Sequence, residues 1–116
     1  MRKVCIVLTI VFMFIALPVF AQLRETSGAI TSDTLLLTVT NNPVGLCGVF
    51  MVANGTNAAT VTIYDNTSAA GKKLREFTVA AGEYYGGFVF PYCIRASTGI
   101  YVDVGTNTTV YVDYVK

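Results

Sequence analysis

The chain has 116 residues, a formal net charge of +1, 53% hydrophobic residues, and neither histidine nor tryptophan. That length supports one domain with a modest core. The missing histidine removes the usual general base, the Ser-His pair and most zinc sites, and the near-zero charge leaves no electrostatic footprint for nucleic acid or anionic lipid.

The N-terminus reads as a secretory signal peptide over residues 1–21. Arg2 and Lys3 precede an uncharged run from Val4 to Leu17, Pro18 breaks it, and Val19-Phe20-Ala21 places small residues at −3 and −1 of a cleavage site. The alternative is a retained anchor, but the apolar run is shorter than the ~20 residues that span a bilayer. Any contact with a membrane is therefore expected through this segment alone. Cleavage after Ala21 leaves Gln22 as the new N-terminus and six basic against seven acidic residues. The leader also inflates the mean hydropathy of +0.58.

Residues 22–33 are small and polar and read as a loose arm or a short edge strand. From residue 34 to 116 the chain reads as short strands separated by turn residues. Leu35 to Thr40 is stopped by Asn41-Asn42-Pro43, and Leu46 to Val52 by Asn54-Gly55. Thr60 to Tyr64 alternates, with Val61 and Ile63 on one face. Leu74 to Val79 follows, and the basic group Lys72-Lys73-Arg75, beside Glu76, reads as a solvated loop edge. Tyr84 to Phe90 and Tyr92 to Arg95 form one long or two broken strands around Pro91, which suits an edge because proline cannot donate to a ladder. Ile100 to Val104 and Val110 to Tyr114 complete the set. Seven or eight strands at this spacing predict an all-β antiparallel sandwich, jelly-roll or Ig-like. Its core should include Val61, Ile63, Val79, Val102, Val104, Val110 and Val112. The last two strands repeat Tyr-Val-Asp at Tyr101 and Tyr111 and read as a hairpin. In that hairpin Val102 faces Val112, Val104 faces Val110, Tyr101 meets Asp113 and Asp103 meets Tyr111.

Cysteine use bears on the compartment. Cys5 lies in the leader, so Cys47 and Cys93 alone remain. In an exported protein they either pair, closing a long loop, or stay as two buried thiols.

No cofactor or metal is expected. Ser68 lies near Lys72, but a small-residue loop is a poor setting for a serine-lysine dyad. Asp65, Asp103 and Asp113 carry oxygens that suit calcium, yet their spacing fits lone solvated acids better. Asn54, Asn66 and Asn107 each open an Asn-x-Ser/Thr triplet, and turn chemistry accounts for all three without sugar. Tyr84, Tyr85, Phe88, Phe90 and Tyr92 crowd one glycine-rich segment. Half should enter the core, leaving Tyr84, Tyr85 and Tyr92 as a candidate surface for protein or sugar, with the lack of tryptophan weakening the sugar reading.

Three stretches carry a family look. They are Leu46-Cys47-Gly48-Val49, Thr62-Ile63-Tyr64-Asp65-Asn66-Thr67-Ser68-Ala69-Ala70-Gly71-Lys72, and Ala96-Ser97-Thr98-Gly99-Ile100-Tyr101-Val102. In order and spacing they resemble small uncharacterised β-sandwich proteins of tailed bacteriophages, over roughly residues 46–115. The resemblance implies a virion-associated module that decorates a capsid or tail, binds other proteins or its own copies, and is not an enzyme. Two features depart from the pattern. The phage proteins look cytoplasmically made, whereas this chain starts with an export signal, and Cys47 and Cys93 are not part of the motif. Both point to an exported relative, periplasmic, extracellular or on the cell surface, with the virion as the alternative location. The competing functional expectation is a secreted binding domain, adhesin-like or carbohydrate-binding.

Overall fold

The computed structural model describes residues 24–116, and the expected leader and its cleavage site lie outside them. Eight strands form: β1 (Arg24–Thr26), β2 (Thr34–Thr38), β3 (Val44–Ala53), β4 (Ala59–Asp65), β5 (Lys72–Val79), β6 (Tyr85–Ala96), β7 (Gly99–Val104) and β8 (Thr108–Val115). They make two four-stranded sheets, β1-β8-β3-β6 and β2-β7-β4-β5, with every pairing antiparallel. First pairs with last, second with seventh, third with sixth and fourth with fifth. The chain is thus one long hairpin, bent at the β4–β5 turn and rolled so that successive pairs fall in opposite sheets. That is jelly-roll order, and it decides between the two sandwich types expected.

The core lies between the sheets. Val61, Ile63, Val102, Val110 and Val112 are fully enclosed and Val79 nearly so, while Val104 is half-buried against the cluster. Leu46, Met51, Ile63 and Ile100 are its largest fully buried members.

Two expectations are overturned. β7 and β8 do not form a hairpin, because they lie in opposite sheets. Tyr101 stands opposite Leu35 and Tyr64, Asp103 opposite Thr62, Tyr111 opposite Phe50, and Asp113 opposite Thr26 and Gly48. Alternation fixes which face of a strand is buried, not which strand lies beside it. Two strands facing each other across a core satisfy the same pattern as a hairpin. The link between them, with Asn107 at φ 56°, crosses from one sheet to the other, and Gly105 N–H donates to Thr60 O at 3.0 Å. The basic group is also corrected: Lys72, Lys73 and Arg75 lie within β5 on a sheet edge, not in a loop.

β3 contains the feature that sets the geometry of its sheet. Leu46 and Gly48 pair with consecutive residues of β8, Tyr114 and Asp113, so Cys47 is an inserted residue. The insertion switches parity: Val44 and Leu46 face the core before it, and Val49, Met51 and Ala53 after it. On the β6 side, Leu46 pairs with Ile94 and Gly48 with Val89, so Phe90–Cys93 bulge out opposite Cys47. Pro91 sits in that bulge on an edge strand, where its missing N–H costs no ladder bond. Cys47 and Cys93 form a disulfide across the bulge.

The segment before β2 is tied to β8. Ile30 and Val110 exchange both backbone hydrogen bonds at 2.9 Å, and Ser27 Oγ accepts from Val112 N–H at 2.8 Å. Tyr114 donates its hydroxyl proton to Glu25 at 2.9 Å, and Lys116 pairs with the same carboxylate at 3.1 Å.

The cross-link spans 46 residues of sequence, a loop for which chain entropy gives about 4 kcal/mol. A Cys47→Ala/Cys93→Ala variant should lose about that much stability in urea unfolding, lowering the melting midpoint by roughly 15–30 °C. A loss below about 1 kcal/mol would mean that the bridge does not constrain the unfolded chain.

Candidate functional site

The surface with the most binding character is the outer face of the β8-β3-β6 sheet. Outward positions there are Phe50 on β3, Tyr111 opposite it on β8, and Tyr85 and Val89 on β6, where Gly87 stands opposite Phe50. The Phe50 and Tyr85 rings lie nearly parallel, 17° apart with centroids at 6.1 Å, and Tyr111 tilts against Phe50 at 6.3 Å. Phe50, Tyr85, Phe88, Val89, Tyr111 and Asp113 line a shallow groove of about 750 Å³. The β6 residues are the most exposed apolar groups in it, Tyr85 at 68%, Val89 at 63% and Phe88 at 53%, with Phe50 at 49%. Gly86 and Gly87 lie in the floor of the groove and are held close: a Cβ on Gly86 would strike Val79, and one on Gly87, at φ 136°, would strike the β3 backbone at Val49. Its polar end is Asp113, whose carboxylate accepts the Thr26 hydroxyl proton at 2.7 Å.

Of the three tyrosines expected to share a surface, the structure places only Tyr85 in this groove. Tyr84 leans against Tyr85, with centroids 6.5 Å apart, but its ring covers the Asn54-Gly55 turn. Gly55 has φ +76°, and a Cβ there would strike that ring. Tyr92 stands on the β6 bulge at 88% exposure, beyond the groove. Phe50 and Tyr111 were missed by sequence reasoning. Their signal was present as outward phase in alternating strands, but β3 changes phase at Cys47, and Tyr111 had been assigned to a hairpin that does not form.

The polar residues weighed for chemistry have structural work. Asp65 accepts backbone N–H groups from Ser97 at 3.0 Å, Thr98 at 2.7 Å and Gly99 at 3.3 Å. Partial burial pushes its carboxyl pKa up, but these three donors and nearby Lys72 outweigh that and hold it below the ordinary aspartate value. Asn66 donates to Ala70 O at 2.8 Å and accepts from Thr67 N–H, closing the β4–β5 turn. A Cβ on Gly99 would come within 2.6 Å of Leu37 O and 3.0 Å of Asn66 O, so only glycine fits there. The Tyr64-Asp65-Asn66 and Ser97-Thr98-Gly99 stretches are therefore one staple, joining the end of β4 to the β6–β7 turn. Asn54 caps its own turn through Thr56 and Asn57 N–H, and Asn107 takes a left-handed turn position.

On the other sheet, burial and the neighbouring Asp33 push the Asp103 carboxyl up. Asp33 itself accepts Val104 N–H at 2.8 Å. Lys73 pairs with Glu76 at 2.9 Å, and Arg75 lies 5.5 Å over the Phe90 ring. Ser68 and Lys72 share no hydrogen bond, and no three His, Cys, Asp or Glu side chains converge as for a metal, among the described residues. No protein-family model and no curated protein matches the chain.

Because the folded Asp65 pKa lies below the unfolded one, its contribution is present at neutral pH and is lost as pH falls through the folded value. Asp65→Asn should cost about 2 kcal/mol at pH 7 by chemical denaturation, in line with charge-assisted hydrogen bonds. The gap between the two proteins should narrow in acid. A gap that is constant with pH would show that the charge contributes nothing.

Proposed function

We propose that this chain is an exported, non-enzymatic interaction module of the kind that decorates or joins a larger assembly, as do the phage virion proteins it resembles. The observation that carries this reading is the aromatic groove of Phe50, Tyr85, Phe88 and Tyr111 on a sheet built from β3, β6 and β8. Apolar patches of this kind mark contact surfaces, because a monomer gains nothing by leaving large rings in water. Jelly rolls serve in capsids and in lectins, an analogy of fold that supports the reading without fixing the partner. The Cys47–Cys93 bridge is chemistry of an oxidising compartment and, with the leader pattern of residues 1–21, supports export. A protein built into particles in the cytoplasm does not meet a signal peptidase, so an envelope-attached or secreted relative of the virion proteins fits better than a cytoplasmically assembled one.

The runner-up is a secreted carbohydrate-binding domain. It draws support from the same rings combined with the Asp113 carboxylate and the Thr26 hydroxyl at one end of the groove.

Mass spectrometry of purified particles and of the cell envelope, with N-terminal sequencing, tests the first reading. The expected result is a chain beginning at Gln22, present in stoichiometric amount in one of those assemblies. An intact Met1 on a free cytoplasmic protein would overturn it. Glycan-array binding abolished by Tyr85→Ala would favour the runner-up instead.

A further inference from the structure

We infer that the first half of β6, Tyr85 to Val89, is a self-pairing edge that joins two copies of this chain into a continuous eight-stranded sheet. The inference deepens the interaction-module reading and rests on it.

The edges of the two sheets differ in how they are protected. β5 carries Lys72, Lys73, Arg75 and Glu76, the charges that normally blunt an edge. β1 has three residues, and β2 has five with a register shift between Leu35 and Leu37. The second half of β6 is interrupted by the bulge and Pro91. From Tyr85 to Val89 there is no charge, proline or register shift, the one backbone irregularity being Gly87 at φ 136°, and no charged residue occurs between Glu83 and Arg95. This stretch pairs without a break to Gly48–Val52 on its inner side.

The direction of its free backbone groups follows from one hydrogen bond. Ala53 N–H donates to Tyr84 O at 2.8 Å, which makes Ala53 and Tyr84 a hydrogen-bonded pair. In an antiparallel ladder such pairs recur at every second residue, so Gly86 and Phe88 bond inward to β3. Tyr85, Gly87 and Val89 then point their N–H and C=O groups away from the sheet. An antiparallel copy related by a two-fold axis at Gly87 places Tyr85 against the partner's Val89, and each Gly87 against the partner's Gly87. All three outward residues then exchange bonds in one register. In the same register Phe88 falls opposite the partner's Gly86, where no Cβ obstructs the ring.

A second copy suits this edge better than an unrelated partner for two reasons. Across a two-fold axis this segment meets only itself, Gly87 its own image and Tyr85 the partner's Val89, and with no charge anywhere from Tyr84 to Ile94 nothing in it repels its copy. Apolar surface at the edge points the same way. The exposed rings of Tyr85 and Phe88, at roughly 150–250 Å² each when whole, together with Val89, give roughly 300 Å² of apolar surface along β6, with Phe50 one strand behind. A standard interface buries about 800 Å² per partner, a little over half of it apolar.

Sedimentation velocity of the purified protein over a concentration series, with Val89→Lys and Tyr92→Lys beside it, tests the pairing. Val89 faces solvent on the outer side, so the lysine leaves the core intact, and circular dichroism confirms that the fold is kept. The expected result is a dimer that Val89→Lys weakens at least about 10-fold while Tyr92→Lys, on the bulge, leaves it unchanged. A wild-type protein that stays monomeric at every concentration, or a dimer weakened equally by both lysines, overturns the self-pairing. A monomer still found in particles or envelope overturns the self-pairing alone and leaves the interaction-module reading standing.

Discussion

The insertion of Cys47 into β3 is the constraint on which the rest of this sheet depends. β3 lies between β8 and β6, so any change in its phase is felt on both sides. With one extra residue, Leu46 and Val49 both reach the core, although strict alternation would put them on opposite faces. The same step leaves Phe50 pointing outward beside Tyr111. Opposite it four residues of β6 bulge, which divides that strand into an uncharged half paired to β3 without a register shift and an irregular half carrying Pro91 and Tyr92. The disulfide joins the two strands at the step. The aromatic groove is thus a consequence of how β3 changes phase, and the bridge secures that step rather than some distant loop.

The second organising feature is a set of carboxylates that fix the crossings between sheets. A jelly roll must carry the chain from one sheet to the other repeatedly, and each crossing leaves backbone N–H groups without ladder partners. Asp65 satisfies three of them at the β6–β7 turn, and Asp33 satisfies Val104 at the far end of β7. Both act near the rim of the sheet opposite the groove. Asp65 and Asp33 therefore serve architecture, and what the groove binds is decided on the other sheet.

Much of the fold was legible in the sequence, for an identifiable reason. Strand positions and the buried valines follow from period-2 alternation and from turns at Asn-Gly and Pro, which are local properties. Strand partners are not local. Tyr101 and Tyr111, in twin Tyr-Val-Asp triplets, looked like neighbours in a hairpin, yet they belong to opposite sheets, because facing a core from either side produces the same pattern. The candidate surface was half legible for a related reason. Tyr85 could be picked out by its crowded aromatic setting, whereas Phe50 was hidden by the phase change at Cys47 and Tyr111 by the wrong partner. Tyr84 and Tyr92 are as exposed as expected, but a turn glycine claims one and the bulge carries off the other.

An edge strand free of charge, register shift and proline is an open template for pairing with another strand, and the first half of β6, beside the groove, has that character. The most direct test is residue-resolved amide hydrogen exchange along β6 at low and high protein concentration. Gly86 and Phe88 should be protected throughout by their bonds to β3. Tyr85, Gly87 and Val89 should exchange rapidly when dilute and gain protection as concentration rises. Equal protection of all five residues in dilute solution, or no gain at Tyr85, Gly87 and Val89 on concentrating, would contradict it.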